Sequence, residues 1–96
     1  TGYQNKWERA LDIVWEDGVW EPELVIVCAG YDALSSDALA GVSLNAADYG
    51  RMTRMLRERI GPCRLLFGLE GGYQLKPAGA SGNLPDAVVE TVRALK

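Results

Sequence analysis

Two short apolar runs dominate the pattern of hydrophobic and polar positions along the chain. The first covers Leu24 to Ala29, and the second covers Leu65 to Leu69. Each run has the length of a strand and carries apolar residues at successive positions, which is typical of a strand buried on both faces of a parallel sheet. We therefore predict two parallel strands covered on both sides.

Apolar residues recur at helical spacing in three other segments: Asn5 to Trp15, Asn45 to Ile60, and the stretch after Asn83. Asn45 and Asn83 are suited to capping the second and third helices, and Gly61 ends the second. The order strand, helix, strand is a βαβ unit, so we predict an α/β fold of one domain at most. The predicted buried positions are Trp7, Ala10, Leu11, Val14 and Trp15 in the first helix, Tyr49, Met52, Leu56 and Ile60 in the second, and Leu84, Val88, Val92 and Leu95 in the third.

Charge and composition exclude several function classes. The formal net charge is −3, and the arginines between Arg51 and Arg64 are interpreted as a solvated helix face, so we expect no direct contact with nucleic acid. The longest apolar run is far short of the ~18 residues that a membrane span needs. Cys28 and Cys63 lie at opposite ends of their strands and form no disulfide framework. We expect both to be buried and reduced in an intracellular protein.

Polar loops follow both predicted strands, at the edge of a parallel sheet where ligands bind. The first loop carries Asp32 and Asp37. Asp37 is a candidate metal ligand, but a loop carboxylate beside Ser35 and Ser36 can also cap a turn. Asp32, at the strand exit, is expected to accept backbone N–H bonds from its own loop and to have a structural role.

The second loop reads Glu70-Gly71-Gly72-Tyr73. Glycine permits positive φ and close approach of a ligand or a backbone. Tyr73 could donate a hydrogen bond to a developing oxyanion, because a phenol stays protonated until about pH 10. The alternative is a tight turn with Tyr73 packed on the rim. The chain contains no histidine, and a catalytic zinc needs three protein ligands, so we expect no tight zinc binding by the isolated chain.

Two motifs resemble the zinc-dependent histone deacetylase superfamily. Residues 22–33, Pro-Glu-Leu-Val-Ile-Val-Cys-Ala-Gly-Tyr-Asp-Ala, and then Ser36-Asp37-Ala38-Leu39 are similar to that family's apolar strand, Ala-Gly-Phe-Asp-Ala, and following Asp-Pro-Leu. Residues 69–75 are similar to its Glu-Gly-Gly-Tyr-Asn-Leu. The likeness runs from about Ala10 to Leu95, with an apparent extra stretch around residues 77–82. It departs from the family at Ala38, where proline is usual, and at Leu34, where many members carry histidine.

The resemblance implies a three-layer αβα sandwich of the arginase/deacetylase type, of which residues 1–96 form the C-terminal part. It implies that Asp37 is a ligand of the catalytic zinc and that Tyr73 hydrogen-bonds the substrate carbonyl. Gly71 and Gly72 match the turn that lines the acyl channel. In the family, zinc polarises the amide carbonyl and activates water. The family's remaining zinc ligands and its catalytic histidine pair lie upstream and are not in this chain.

Two functions remain open. The chain could be a segment of a deacetylase that hydrolyses acetyl-lysine or acetylated amines and that is not competent alone. It could instead be an inactive deacetylase-derived accessory subunit with a structural or interaction role in a larger assembly. In both cases we expect other protein to cover the sheet, and Trp7, Trp15 and Trp20 either pack in the core or dock a partner. Leaving ~400 Å² of apolar surface in water would forfeit on the order of 10 kcal/mol, so the isolated chain should aggregate or be poorly ordered.

Overall fold

A computed structural model describes residues 2–16, 18–37, 39 and 42–96. The predicted α/β class and order of elements are confirmed, although the first helix begins earlier than predicted. Ala38, one of the departures from the family pattern, lies outside the described residues. No helix in the described part is long and apolar enough to cross a membrane. The helices and strands are α1 (Gly2–Val14), β1 (Leu24–Ala29), α2 (Ala46–Ile60), β2 (Arg64–Leu69) and α3 (Leu84–Ala94), with single 3-10 turns at Tyr31–Ala33 and Gly79–Ser81.

The strands β1 and β2 form a parallel pair over the full length of both strands. Two backbone hydrogen bonds continue the pairing beyond the strand ends. The N–H of Glu70 donates to the carbonyl of Ala29 at 3.1 Å, and the N–H of Tyr31 donates to the carbonyl of Gly71 at 2.8 Å. The predicted parallel arrangement is confirmed, and the loops after both strands leave the sheet at the same edge.

Helices cover one face of this sheet. The side chains that point toward the helices are half-buried and pack against the two core clusters: Val25, Val27, Leu65 and Phe67. The side chains on the other face are exposed although most of them are apolar: Leu24, Ile26, Cys28 and Leu66. The prediction that both faces are buried is therefore wrong for the described part of the chain, which contributes one helical layer and a sheet.

The burial of the two cysteines differs from the prediction for the same reason. Cys28 is exposed because its side chain belongs to the uncovered face of β1, and Cys63 is half-buried just before β2. Both are free thiols. The expectation of two buried cysteines depended on a second covering layer that the described residues do not supply.

The helix α1 packs mainly on α2. Leu11 is buried in a cluster with Leu56 and Ile60 of α2. The indole N–H of Trp7 donates to the carbonyl of Met52 at 3.0 Å. Val14, by contrast, is 49% exposed. The apolar stripe of α1 that is actually buried is thus narrower than predicted, because α1 meets a helix rather than the broad surface of a sheet.

The helices α2 and α3 approach each other closely because small residues occupy their contact. A Cβ added at Gly50 would lie 3.2 Å from the backbone oxygen of Glu90. Ala87 is fully buried and Thr91 is 4% exposed, whereas Val92, which was predicted to be buried, is 49% exposed. The contact face of α3 is therefore rotated from the valine-rich stripe toward its small residues, which permit the close approach.

Both predicted N-caps are confirmed as reciprocal capping boxes. The side chain of Asn45 accepts the Asp48 N–H at 3.1 Å, and the Asp48 carboxylate accepts the Asn45 N–H at 2.8 Å. Asn83 and Asp86 form the same pair at the start of α3. Asp48 is 2% exposed and also accepts bonds from the side chains of Gln4 and Arg51. One carboxylate therefore joins α1 to the first turn of α2.

The first prediction concerns Leu34, which is fully buried beneath the loop after β1, whereas Leu39 in the same loop is 74% exposed. Leu34→Ala should lower the free energy of unfolding by about 2–5 kcal/mol, because it removes buried methyl groups and leaves a cavity. Leu39→Ala, the matched control, should change it by less than about 0.5 kcal/mol. Denaturant unfolding of the shortest soluble protein that contains this chain measures both. Equal losses of unfolding free energy in the two variants would contradict the burial of Leu34.

Candidate functional site

The loops after β1 and β2 pack against each other at the carboxyl edge of the sheet. The backbone N–H of Tyr73 donates to Oδ2 of Asp37 at 2.8 Å. The side-chain amide of Gln74 donates to the carbonyl of Ser36 at 3.0 Å. Asp37 and Tyr73 were predicted to lie at the same sheet edge, and this placement is confirmed. The catalytic and ligand roles implied for them stay predictions.

Asp37 is a buried carboxylate whose two oxygens each accept a backbone N–H. Oδ1 accepts from Leu39 at 2.9 Å and Oδ2 accepts from Tyr73 at 2.8 Å. The residue is only 3% exposed. Each carboxylate oxygen keeps a second lone pair that can bind a ligand. These contacts are those of the turn-capping alternative that the sequence left open.

Asp32 lies at the same edge, but it is less buried than Asp37 and has different contacts. It is half-buried, and within the described residues the predicted hydrogen bonds from its own loop are not formed. Its carboxylate instead lies against the second loop, where a Cβ added at Gly71 would be 2.8 Å from Oδ2. Sequence reasoning gave Asp32 a structural role. Its position as the first carboxylate after a parallel strand was the signal that could have marked it as a ligand candidate.

The two glycines of the second loop are required for different reasons. At Gly71 the constraint is space, since any side chain would meet the carboxylate of Asp32. At Gly72 the backbone has φ 137°, and an added Cβ would lie 2.9 Å from both Tyr31 Cβ and Leu84 Cδ1. The pair thus holds the loop close to β1 and α3, which explains the two glycines seen in the sequence.

Tyr73 presents its side chain at the surface of this edge. It is 57% exposed, so it is not packed on the rim as the alternative interpretation held. Its backbone is held through the N–H bond to Asp37. The phenol is therefore available to a group that lies outside the described residues.

Two further tyrosines, Tyr31 and Tyr49, form hydrogen bonds near the end of β1. The hydroxyl of Tyr49 donates to the carbonyl of Gly30 at 2.8 Å, and the hydroxyls of Tyr31 and Thr91 are 2.9 Å apart. Burial raises the pKa of Tyr49, so its hydroxyl stays protonated as the donor. Both rings line a cavity of about 140 Å³ between the sheet and the helices. Tyr49 was predicted as a core residue, but its hydrogen bond to the strand exit could not be found from spacing.

The described residues do not form a zinc site by themselves. They contain no cluster of three or more His, Cys, Asp or Glu side chains that could hold a metal ion, and the whole sequence has no histidine. A carboxylate is a suitable zinc ligand, but a catalytic site takes three protein ligands. The carboxylates at this edge are therefore suitable zinc ligands, but the described residues supply fewer ligands than a catalytic zinc site needs.

Comparison with known proteins identifies the fold. Residues 2–86 match the family model "Histone deacetylase domain". The chain belongs to the histone deacetylase family. It is 48% identical over 78% of its length to "Uncharacterized protein slr0245" of Synechocystis, and 42% identical over 65% of its length to "Histone deacetylase 15" of Arabidopsis thaliana. The crystal structure of the HDA15 HD domain superposes on 93% of this chain with a TM-score of 0.70 at 28% identity.

The matches cover only a small part of each relative's own length. The aligned segment is 22% of the Synechocystis protein, 11% of histone deacetylase 15, and 24% of the HDA15 domain chain. The resemblance inferred from the two loop motifs is confirmed, and the parallel strand pair with its helices reproduces a portion of the deacetylase domain fold.

The second prediction tests the contact between the two loops. Gly71→Ala should destabilise the protein by about 1–3 kcal/mol, because its Cβ meets the Asp32 carboxylate and forces a shift. In the background of Asp32→Ala, which removes that carboxylate, the same substitution should cost much less. Thermal unfolding of the single and double variants measures this coupling.

Gly72→Ala is the control for the second prediction. Its cost arises from a φ of 137° and from contacts with Tyr31 and Leu84, so Asp32→Ala should not relieve it. Additive effects of Gly71→Ala and Asp32→Ala would show that these two residues are not in contact.

Proposed function

We propose that this chain is part of the catalytic domain of a zinc-dependent deacetylase that hydrolyses acetyl-lysine or another acetylated amine. The observation that carries the proposal is the convergence of the two loops at the carboxyl edge of the sheet. An exposed phenol, Tyr73, stands there on a backbone anchored by a buried carboxylate. Membership of the histone deacetylase family supports the reaction class.

In this proposal Tyr73 donates its phenolic proton in a hydrogen bond to the oxygen of the substrate amide. Negative charge develops on that oxygen as water adds to the carbonyl carbon, so a donor placed there stabilises the transition state more than the ground state. Gly71 and Gly72 line the approach of the acyl group, since residues without side chains leave room beside the loop.

The zinc that the family uses would polarise the carbonyl and activate the attacking water. From this chain, Asp37 would be a ligand, because each of its oxygens accepts one backbone N–H and keeps a second lone pair for a metal ion. Asp32, half-buried at the same edge, is the alternative carboxylate. The ligand role of Asp37 implied by the sequence stays a prediction, and the other ligands would come from sequence outside this chain.

The rest of the parent domain is the partner that we propose for the open face of the sheet. That face carries Leu24, Ile26 and Leu66 at exposures of 50 to 60%, which is unusual for parallel strands. The HDA15 domain that this chain matches is about four times longer than the aligned segment, so related domains contain ample further structure to cover it.

The second candidate function is the inactive accessory subunit. The absence of histidine favours it. So does the aromatic pair of Trp15 and Trp20, whose ring centroids are 5.2 Å apart and of which Trp20 is 50% exposed. An aromatic pair with one exposed member suits a protein contact. A chain in this role would keep the fold and have no hydrolytic activity in its native assembly.

The third prediction separates the two functions. The complete protein that contains this chain should release acetate from an acetyl-lysine peptide, and Tyr73→Phe should lower kcat by about 10²–10³ with little change in KM, because it removes a transition-state donor. Tyr3→Phe on α1 is the matched control and should leave kcat within about twofold. A native assembly that hydrolyses no acetylated amine would contradict the catalytic proposal and support the accessory role.

Metal analysis adds a second readout to the same experiment. Asp37→Asn should lower the zinc content of the complete protein, because a neutral amide is a weaker zinc ligand than a carboxylate. Asp32→Asn should leave the zinc content unchanged. The reverse result would identify Asp32 as the ligand.

The fourth prediction concerns the open sheet face. In residues 1–96 expressed alone, Leu66→Asp should reduce aggregation, because Leu66 is 56% exposed there. In the complete protein the same substitution should cost more than about 3 kcal/mol, because it buries an unpaired charge. Ala47→Asp on the outer surface of α2 is the charge-matched control and should be tolerated in both. Equal tolerance of Leu66→Asp in both contexts would show that this face is not covered.

A further inference from the structure

We propose that Tyr31 is a positioning residue through which helix α3 holds the glycine turn that precedes Tyr73. The effect on the reaction rests on the proposed role of Tyr73 in catalysis. The link between α3 and the turn is a property of the fold, and it can be measured without any activity.

The backbone of Tyr31 contacts the glycine turn directly. Its N–H donates to the carbonyl of Gly71 at 2.8 Å. A Cβ added at Gly72 would lie 2.9 Å from Cβ of Tyr31 and 3.6 Å from its carbonyl carbon. A shift of Tyr31 would therefore move the two residues that come directly before Tyr73.

The side chain of Tyr31 is fixed at its far end by α3. Its hydroxyl lies 2.9 Å from Oγ1 of Thr91, and Thr91 donates its own hydroxyl proton to the carbonyl of Ala87 at 2.9 Å. The hydroxyl of Tyr31 is therefore the donor in the pair. Tyr31 and Thr91 are both buried, and a buried tyrosine hydroxyl that loses its partner is left without a hydrogen bond. The position of Tyr31 thus depends on a residue of α3.

Neighbouring contacts leave the Tyr31 ring little freedom. The ring packs on that of Tyr49 with the centroids 4.8 Å apart, and the Tyr49 hydroxyl donates to the carbonyl of Gly30 at 2.8 Å. The start of α3 meets the second loop as well, since the N–H of Leu84 donates to the carbonyl of Gln74 at 2.8 Å. The second loop is thus held by α3 on both sides of its tyrosine, directly after it and through Tyr31 before it.

The glycine turn needs this restraint if Tyr73 is to keep one direction. Glycine leaves the backbone more conformations than any other residue, and two glycines precede Tyr73. The side chain of Tyr73 is 57% exposed, so packing within the described residues contributes little to its direction. A misplacement of about 1 Å in a catalytic group can cost on the order of 10² in rate. A small displacement of Tyr31 should therefore lower kcat and leave KM nearly unchanged.

Thr53 is a matched control that separates positioning from general stability. Like Thr91, it is a buried threonine in a helix and donates its hydroxyl proton to the carbonyl four residues earlier, here that of Tyr49 at 2.8 Å. Within the described residues, its side chain has no hydrogen bond to Tyr31 or to the second loop. Loss of either threonine hydroxyl should lower thermal stability, but only the loss of Thr91 leaves the Tyr31 hydroxyl without an acceptor.

The test is a double-mutant cycle in the complete protein that contains this chain, assayed well below the melting temperature of each variant. Thr91→Val keeps the shape of the residue and should lower kcat by about tenfold or more with KM within about twofold, because Tyr31 must move to satisfy its hydroxyl. Tyr31→Phe removes only that hydroxyl and should lower kcat by about three- to fivefold. In the Tyr31→Phe background, Thr91→Val should change kcat by less than about twofold, since no donor is left unpaired. Thr53→Val should leave kcat within about twofold.

A second cycle with Tyr73→Phe shows whether the effect passes through the phenol. In that background, Thr91→Val should lower kcat by less than about twofold. Additive losses from Thr91→Val and Tyr73→Phe would overturn the inference, as would equal effects of Thr91→Val and Thr53→Val on kcat. If Thr91→Val does not fold, Tyr31→Phe takes its place in this cycle, and its loss of kcat should likewise disappear when the Tyr73 hydroxyl is absent.

Amide hydrogen exchange gives a readout that does not need activity. Thr91→Val should speed the exchange of the Tyr31 amide, which is bonded to Gly71, by about tenfold or more, and Thr53→Val should leave it unchanged. Unchanged exchange of this amide in Thr91→Val would overturn the link between α3 and the glycine turn. If the exchange difference appears in a complete protein that hydrolyses no acetylated amine, the proposed function fails while the link stands.

Discussion

The parallel pairing of β1 and β2 is the constraint on which the candidate site depends. Because the strands run in the same direction, their following loops emerge at one edge. Two backbone bonds beyond the strand ends then align Tyr31 with Gly71 and bring Asp32, Asp37 and the glycine turn together. An antiparallel pair would place the two loops at opposite ends of the sheet, and no side-chain contact could compensate for that separation.

Features set by local sequence were predictable. The capping boxes at Asn45 and Asn83 depend on residues three positions apart, and the strands follow from continuous apolar runs. The contact face of α3 was not predictable from periodicity. Ala87 and Thr91 are buried because α3 lies close to α2 at Gly50, and the sequence of α3 alone does not show this contact. Spacing within one element cannot reveal which face a distant element will meet.

The candidate site was likewise predictable only in part. The motifs located both loops and their glycines, but they did not distinguish the environments of Asp32 and Asp37. That distinction comes from hydrogen bonds to residues as distant in sequence as Tyr73. A buried carboxylate that accepts two backbone N–H groups and a half-buried one beside a glycine are equivalent as sequence letters, yet their hydrogen-bonding environments differ.

The uncovered face of β1 has one chemical consequence through Cys28. Its thiol is exposed in the described structure because no helix of this part of the chain covers that face. A thiol on such a surface reacts with alkylating reagents as long as the surface is open, and its access is blocked when other protein covers the sheet. The rate at which Cys28 is labelled would therefore report whether other protein covers this face of the sheet.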